Sequence, residues 1–279
     1  MGVTTDHDAA NFAHEADLPP TPAGLYDYYL GGDNSTASER AAAEGLRAKM
    51  PELYDAAWAN RGFLQRAARW LAAEKGVRQF IDLGAGLPTA QNTHEVVQKV
   101  TPDACVVYVD NDPQVLVRAR RLLAGTDNTT AITADLRDPQ TVLNHPDVRA
   151  SIDLGEPVAL LLVAVAHFVS DEEDPWGTVH RYMDALAPGS YLALSHITGD
   201  HQSKQATDAI DELYAHATTR IHMRSRQDVA RFFTGLDLVP PYAGAEPHIT
   251  FVGEWGSDDH TVADSDGSRW SYCGVGRRR

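Results

Sequence analysis

The stretch Gln79-Phe80-Ile81-Asp82-Leu83-Gly84-Ala85-Gly86-Leu87-Pro88-Thr89 decides the fold. Its first half is apolar enough for a buried strand, and it runs straight into glycines that end the strand in a tight turn. The same device recurs downstream. Residues 104–109 are apolar and close on Asp110, and residues 130–133 close on Asp135. Residues 157–165 are almost wholly apolar, as a parallel strand covered on both faces must be. Residues 191–196 follow the Pro188-Gly189 turn as a fifth strand. Helical stretches fall between them, at 93–99, from 113 to near 124, and around 176–186. Asp112-Pro113 and Asp138-Pro139 are helix starts, with aspartate capping exposed amides and proline in the first helical position. Strands alternating with helices about every 25 residues specify an α/β fold with a mostly parallel sheet covered on both faces.

Working outward, residues 203–218 and 226–233 read as helices after the fifth strand. Three segments, 236–239, 248–254 and 270–275, compete for the closing antiparallel strands, and 255–268 reads as a polar surface loop. Upstream of the glycine turn, residues 25–30 form a short helix ended by Gly31-Gly32-Asp33-Asn34-Ser35. A second helix over 38–50 is interrupted by Pro51. A third, over 56–74, carries Trp58, Phe63, Ala67, Trp70 and Leu71 on or near one side. Residues 1–20 are polar and end in Pro19-Pro20, so a disordered or loosely attached arm is expected. Residues 21–279 are then a single domain, of which 21–75 is an N-terminal helical cap.

With 279 residues, 43% of them hydrophobic, the chain has enough apolar surface for one large core without disulfide or metal staples. Cys105 and Cys273 sit among apolar or aromatic residues and read as buried thiols in a reducing, cytoplasmic setting. The start of the chain has neither a basic segment nor an apolar run, so no secretory signal is expected. The longest greasy stretch, 158–166, is far short of the roughly 20 residues a membrane span needs. A soluble protein without membrane partners is expected. The formal net charge of -15 repels a polyanion on average, with Arg277-Arg278-Arg279 a small exception. That balance disfavours nucleic acid and favours a small-molecule or protein substrate; it leaves the oligomeric state open.

In an open parallel sheet, ligands bind beyond the carboxyl ends of the strands, where strand order reverses. Gly84 and Gly86 let backbone approach a bound group there. The residues that follow, Leu87-Pro88-Thr89, lack the third glycine of the dinucleotide fingerprint, which argues against NAD or FAD. Asp82 would be a poor neighbour for a pyrophosphate and a good one for an ammonium group. Asp110 is placed to accept both hydroxyls of a ribose. Asp135 can accept from an adenine amino group, with Leu136 against the ring. Three acids at successive strand ends thus suit a ligand bearing adenosine and a positive charge, namely S-adenosylmethionine. The plain alternative is that each aspartate only caps the next helix. Two rival functions stay open: an NAD-dependent oxidoreductase, and a non-catalytic S-adenosylmethionine-binding regulatory protein.

These residues resemble the actinobacterial S-adenosylmethionine-dependent methyltransferase family long catalogued as a domain of unknown function. The likeness covers Tyr26-Asp27-Tyr28-Tyr29-Leu30-Gly31-Gly32 with Asp33-Asn34, then Asn60-Arg61-Gly62-Phe63-Leu64, then Arg78 to Thr89 around the glycine turn. It continues through Val107-Tyr108-Val109-Asp110-Asn111-Asp112-Pro113, Ala134-Asp135-Leu136-Arg137-Asp138-Pro139 and Leu161-Leu162-Val163-Ala164-Val165-Ala166-His167-Phe168. It ends with Pro188-Gly189-Ser190-Tyr191-Leu192 and Tyr272-Cys273-Gly274-Val275-Gly276-Arg277. The resemblance implies a class I methyltransferase (Rossmann-like) fold with an antiparallel C-terminal strand, favouring 270–275 for that role. It also implies S-adenosylmethionine as cofactor, with Asp82, Gly84 and Gly86 along the methionine moiety, Asp110 on the ribose, and Asp135 with Leu136 at the adenine. The family usually has one more residue between Gly32 and Asp33 and an aromatic where Ser35 stands. Those departures bear on the cap and not on the cofactor core.

Methyl transfer demands no particular side chain beyond alignment, unless the acceptor arrives protonated. His167, just after the fourth strand, is the best candidate for a base there. The alternative is that it satisfies a backbone carbonyl or packs on Phe168; His196 has the same two readings. Tyr26, Tyr29 and Asn34 are candidates for a lid over the cofactor, against a simple amphipathic packing helix. Arg61 is a candidate partner for a methionine or substrate carboxylate, against a solvated or salt-bridged helix arginine. No metal site is expected, since no ligand spacing such as His-Glu-x-x-His occurs.

Overall fold

The computed structural model describes residues 18–279, Ala90 and Ala124 excepted. The expected arm over residues 1–20 therefore falls almost entirely outside the described residues. Before the sheet come three helices, α1 (Pro22–Tyr29), α2 (Ala37–Arg47) and α3 (Leu53–Lys75). The α1 N-terminus is capped by Thr21, whose hydroxyl accepts from the Gly24 amide at 3.0 Å. The α2 N-terminus has a capping box between Thr36 and Glu39. The buried Glu39 carboxylate also accepts from the Thr21 amide and hydroxyl, at 3.1 and 2.5 Å, and so pins the two helix starts together.

The sheet has eight strands among the described residues. β1 (Gln79–Leu83) pairs in parallel with β2 (Cys105–Asp110), and β2 with β3 (Thr129–Thr133). On its other edge β1 pairs with β4 (Ala159–Val163), and β4 with β5 (Tyr191–Ile197), again in parallel. β6 (Asp237–Leu238) and β7 (Thr250–Phe251) are short. β8 (Ser271–Arg277) runs antiparallel to β5, in register from Tyr191 opposite Arg277 to Ile197 opposite Ser271. All three competing C-terminal segments therefore become strands, because β6 and β7 share the free edge of β8 end to end. The order β3-β2-β1-β4-β5-β8-β6 reverses between β1 and β4, where a crevice must open at the strand ends.

The helices between strands are α4 (Thr93–Gln98), α5 (Pro113–Leu122), α6 (Pro139–Leu143), α7 (Pro146–Ser151) and α8 (Pro175–Ala185). α9 (Lys204–Ala215), α10 (Arg226–Arg231) and α11 (His260–Ala263) follow β5. Both Asp-Pro starts work as read: Asp112 accepts from the Gln114 amide at 2.8 Å and Asp138 from the Thr141 amide at 3.1 Å. Alternate residues of β4 serve opposite faces. Leu160 and Leu162 join one core, with Ile81, Val107 and Leu194, while Ala159 and Leu161 join another, with Phe80, Val106 and α3 residues Phe63 and Leu71. Each such large apolar side chain contributes about 1.5–3 kcal/mol on burial. A third cluster joins the cap to α9 through Leu25, Leu46, Met50, Ile210 and Trp270.

Two readings of the sequence need correction. Trp58 is 51% exposed, because the buried stripe of α3 passes through Ala57, Asn60, Arg61 and Leu64, one position out of phase with it. The 255–268 stretch is not merely a surface loop. Trp255 is 2% exposed and meets Phe63 and Trp70 edge to face at 5.6 and 5.7 Å. Arg66 on α3 holds this segment by donating to the carbonyls of Trp255, Val252 and Gly253 at 2.7, 2.6 and 3.2 Å.

Candidate active site

Beyond the carboxyl end of β1 the chain turns through Gly84 and Gly86, both with φ of +66°. The two glycines serve different needs. A Cβ on Gly84 would sit 2.1 Å from the Val165 side chain, so the turn packs directly against the segment after β4. A Cβ on Gly86 would meet nothing within 4 Å, so that glycine leaves open space on the cavity side. The turn is tied to β2: the amides of Gly84 and Ala85 donate to the Val109 carbonyl at 2.8 and 3.2 Å. The Gly86 amide donates to the Asp110 carboxylate at 2.9 Å.

A cavity of about 510 Å³ opens against this turn. Of the residues singled out above, Tyr26, Tyr29, Arg61, Asp82, Gly84, Gly86, Asp110, Asp135, Leu136 and His167 all line it. Asn34 does not. Its side chain and backbone amide donate to the buried Asp27 carboxylate at 3.3 and 2.9 Å, and its carbonyl accepts from Arg118 at 2.8 Å. The expected lid role of Asn34 is thereby corrected. A carboxylate as buried as Asp27 needs nearby donors, and the Gly31-Gly32 turn folds Asn34 back to supply them.

Asp82 is buried, and its carboxylate accepts from the Thr93 hydroxyl at 2.6 Å. Burial lifts this carboxyl from its ordinary 3.8 to about 6, against the opposing pull of the Thr93 hydroxyl and the Arg61 charge. Arg61, also buried, donates to the Gln91 carbonyl at 3.0 Å. Asp110 is likewise raised by burial, although its two oxygens accept from the Asp112 and Gly86 amides at 3.0 and 2.9 Å. It closes the turn onto Asp112, while Asp112 and not Asp110 caps the next helix, and each Asp110 oxygen keeps a further lone pair. Asp135 is differently placed. Arg137 forks onto its carboxylate at 2.9 and 2.5 Å and lowers its pKa, while the other arm of Arg137 reaches Glu173. An adenine amino group donating to Asp135 would have to share the carboxylate with this fork.

His167 lies where β4 leaves the sheet, edge-on to Phe168 at 4.4 Å and to His196 at 5.4 Å. Burial, with the nearby His196, Arg224 and His222, holds its pKa well below the usual histidine range. The Ile197 amide donates to Nδ1 at 3.4 Å, which puts the ring proton on Nε2. At neutral pH the ring is therefore uncharged and weakly basic. His196 is occupied: Nδ1 bonds its neighbour's carbonyl, Ile197, at 2.7 Å, and Nε2 accepts from Arg224 at 2.7 Å.

Sequence reasoning missed the part played by Asn60. It donates to the Tyr26 hydroxyl at 2.7 Å and accepts from the Ser195 hydroxyl at 2.5 Å, and that hydroxyl takes the Ala164 amide at 3.0 Å. This chain links the cap to the ends of β4 and β5 beside Ala164, a non-glycine residue at φ +55° lining the cavity. The available signal was a polar residue within the apolar stripe of α3. Thr93, which holds Asp82, carried no comparable signal.

The donor set fits an adenosyl sulfonium cofactor with an ammonium group. One end of the cavity combines an open glycine face with two carboxylates, the buried Asp82 and the half-buried Asp110, that have acceptor capacity to spare. The comparisons agree. The S-adenosyl methyltransferase family (Methyltransf_19) matches residues 13–279. A solved structure of a candidate methyltransferase from Thermobifida fusca is 40% identical, with a TM-score of 0.86, covering 95% of this chain and 97% of that one. A DUF574 family protein from Streptomyces avermitilis is 37% identical at the same TM-score of 0.86, covering 94% of this chain and 98% of that one. An O-methyltransferase family protein from Burkholderia thailandensis shares the fold alone, at 12% identity and a TM-score of 0.51 over 96% of this chain and 66% of its own. None of the curated proteins matches in sequence. With its family matched from end to end of the fold, the chain belongs to the S-adenosyl methyltransferases: it is an enzyme that takes S-adenosylmethionine as cofactor and transfers its methyl group.

Proposed function

We propose that the glycine-turn end of the cavity holds the cofactor and that its other end, under the cap, takes a small-molecule acceptor. The observation carrying this reading is that one continuous cavity joins Asp82 and Asp110, at the ends of β1 and β2, to a pocket walled by the cap and α9. When bound, S-adenosylmethionine supplies a methyl group activated by its sulfonium. Asp82 receives the ammonium and Asp110 the ribose hydroxyls; Gly84 and Gly86 let the backbone pass close by. Leu136 lies along the adenine, with Asp135 at its edge. Arg61 balances Asp82 and faces a carboxylate. Tyr26 and Tyr29 close the cap over the site, Tyr26 held in place by Asn60.

The chain's own work is alignment and exclusion of water, which together supply several kcal/mol. His167 sits between the two ends as a neutral Nε2–H donor that orients the acceptor, which replaces its expected role as a base. Residues 21–279 act as one domain with 21–75 as its cap. Nucleic acid is not the substrate, given a net charge of -15. The free thiols Cys105 and Cys273 suit a cytoplasmic setting, and among the described residues no helix is long and apolar enough to cross a membrane.

Calorimetric titration tests the assignment. S-adenosylmethionine and S-adenosylhomocysteine should bind and NAD should not. Asp110→Ala should weaken both adenosyl compounds at least tenfold, roughly 1.4 kcal/mol. Unchanged affinity in a folded variant would remove Asp110 from the ribose.

A further inference from the structure

Every charged side chain lining the cavity, among the described residues, belongs to its glycine-turn end: Arg61, Asp82, and the acids and arginine after β2 and β3. The other end is walled by Met50, Ile210, Phe168, Tyr214 and Trp270, with Tyr29 from α1. Three rings run together there. Tyr214 lies 5.8 Å from Phe168, which in turn meets His167. Trp270 spends its indole N–H on Glu52 at 3.0 Å and so offers the cavity only its ring. Two hydroxyls interrupt this apolar lining, that of Tyr214 and that of the more fully buried Tyr29. Tyr29 is 5% exposed, and its buried hydroxyl has no hydrogen-bond partner among the described residues. Such an orphan is costly unless a ligand completes it.

We infer that the methyl acceptor is an uncharged aromatic compound of one or two rings, seated against Phe168, Tyr214 and Trp270, whose polar substituent bonds the Tyr29 hydroxyl. This inference rests on the cofactor end being the one proposed above. A charged acceptor would be buried here without a counter-ion, which a site of this composition disfavours strongly. Aromatic walls favour edge and offset contacts with a ring over an open aliphatic chain.

The full-length protein is first titrated with S-adenosylhomocysteine and then, saturated with it, with naphthol, naphthalene sulfonate and naphthylmethylammonium. Naphthol should bind, at least about tenfold more tightly than either charged analogue. Tyr29→Phe, which removes only the hydroxyl, should weaken naphthol about threefold or more. Ile210→Trp should fill the pocket and abolish naphthol binding while S-adenosylhomocysteine still binds, which also reports an intact fold. Equal binding of the charged probes, no naphthol binding to the loaded protein, or indifference to both substitutions would overturn the inference. Failure of S-adenosylhomocysteine to bind would instead sink the cofactor placement. Naphthol binding that Ile210→Trp blocks would still support the aromatic end.

Discussion

Gly84 and Gly86 share a backbone angle but not a reason for it. Gly84→Ala meets both the left-handed φ and the Val165 side chain, whereas Gly86→Ala meets only the former. The first should cost about 3 kcal/mol or more in urea unfolding, and the second about 1–2 kcal/mol. Gly86→Ala should still lose cofactor affinity, because its new methyl occupies the approach to the turn; equal stability losses would refute this division. Asp82 makes a prediction about pH. Its folded pKa, about 6, lies above the unfolded value, so the folded protein holds a proton the unfolded chain has released. Without cofactor, stability should therefore fall as pH rises from about 4 to 6, by roughly 2 kcal/mol from this group. Urea titrations of wild type and Asp82→Asn at both ends of that window check it: the variant should lose less. An ammonium partner favours the ionised carboxylate, so S-adenosylhomocysteine should release about half a proton on binding near pH 6, and almost none at pH 8. Buffers of different ionisation enthalpy would show this directly.

At the scale of elements, α3 does most to position the site. It contributes Asn60 and Arg61 to the cavity near its start and Phe63 and Leu71 to the core behind β1. Arg66, between these, bridges to the chain around Trp255. Arg66→Ala would leave three carbonyls without their charged donor, and each such bond contributes about 1.5–3 kcal/mol when buried, less where partly wet. A loss of about 2–4 kcal/mol in thermal or urea unfolding is expected, with cofactor affinity nearly unchanged because the bridge lies away from the glycine turn. The position of α3 was legible in its apolar spacing. Its phase was less so: a tryptophan reads as core by composition, yet Trp58 falls on the solvent side, and the stripe instead takes in a polar pair.

For the whole molecule, ligand and fold are linked. A cofactor that binds only the folded chain stabilises it by RT ln(1 + [L]/Kd), about 2.7 kcal/mol at a hundredfold excess over Kd. S-adenosylhomocysteine should accordingly raise the midpoint of thermal unfolding by several degrees, about 2–4 °C per kcal/mol for a domain of this size, and Asp110→Ala should blunt the rise. The alternation of strands and helices, the Asp-Pro helix starts and the acids closing β1 to β3 were all readable along the chain, since hydrophobic period, capping and turn chemistry are local. Family membership was readable too, from motifs that are themselves local. What each acid does was not. Asp110 gives one oxygen to the distant Gly86 amide, Arg137 is fixed on Asp135 by its second contact with Glu173, and Asn34 turns back to a buried Asp27, each decided by partners that folding brings within reach. The same holds for His167, whose basicity is set by burial and by neighbours from two separate segments, His196 on β5 and His222 with Arg224 after α9. Sequence determines which groups a strand end carries; the three-dimensional packing determines which of them still have a lone pair or a proton to give.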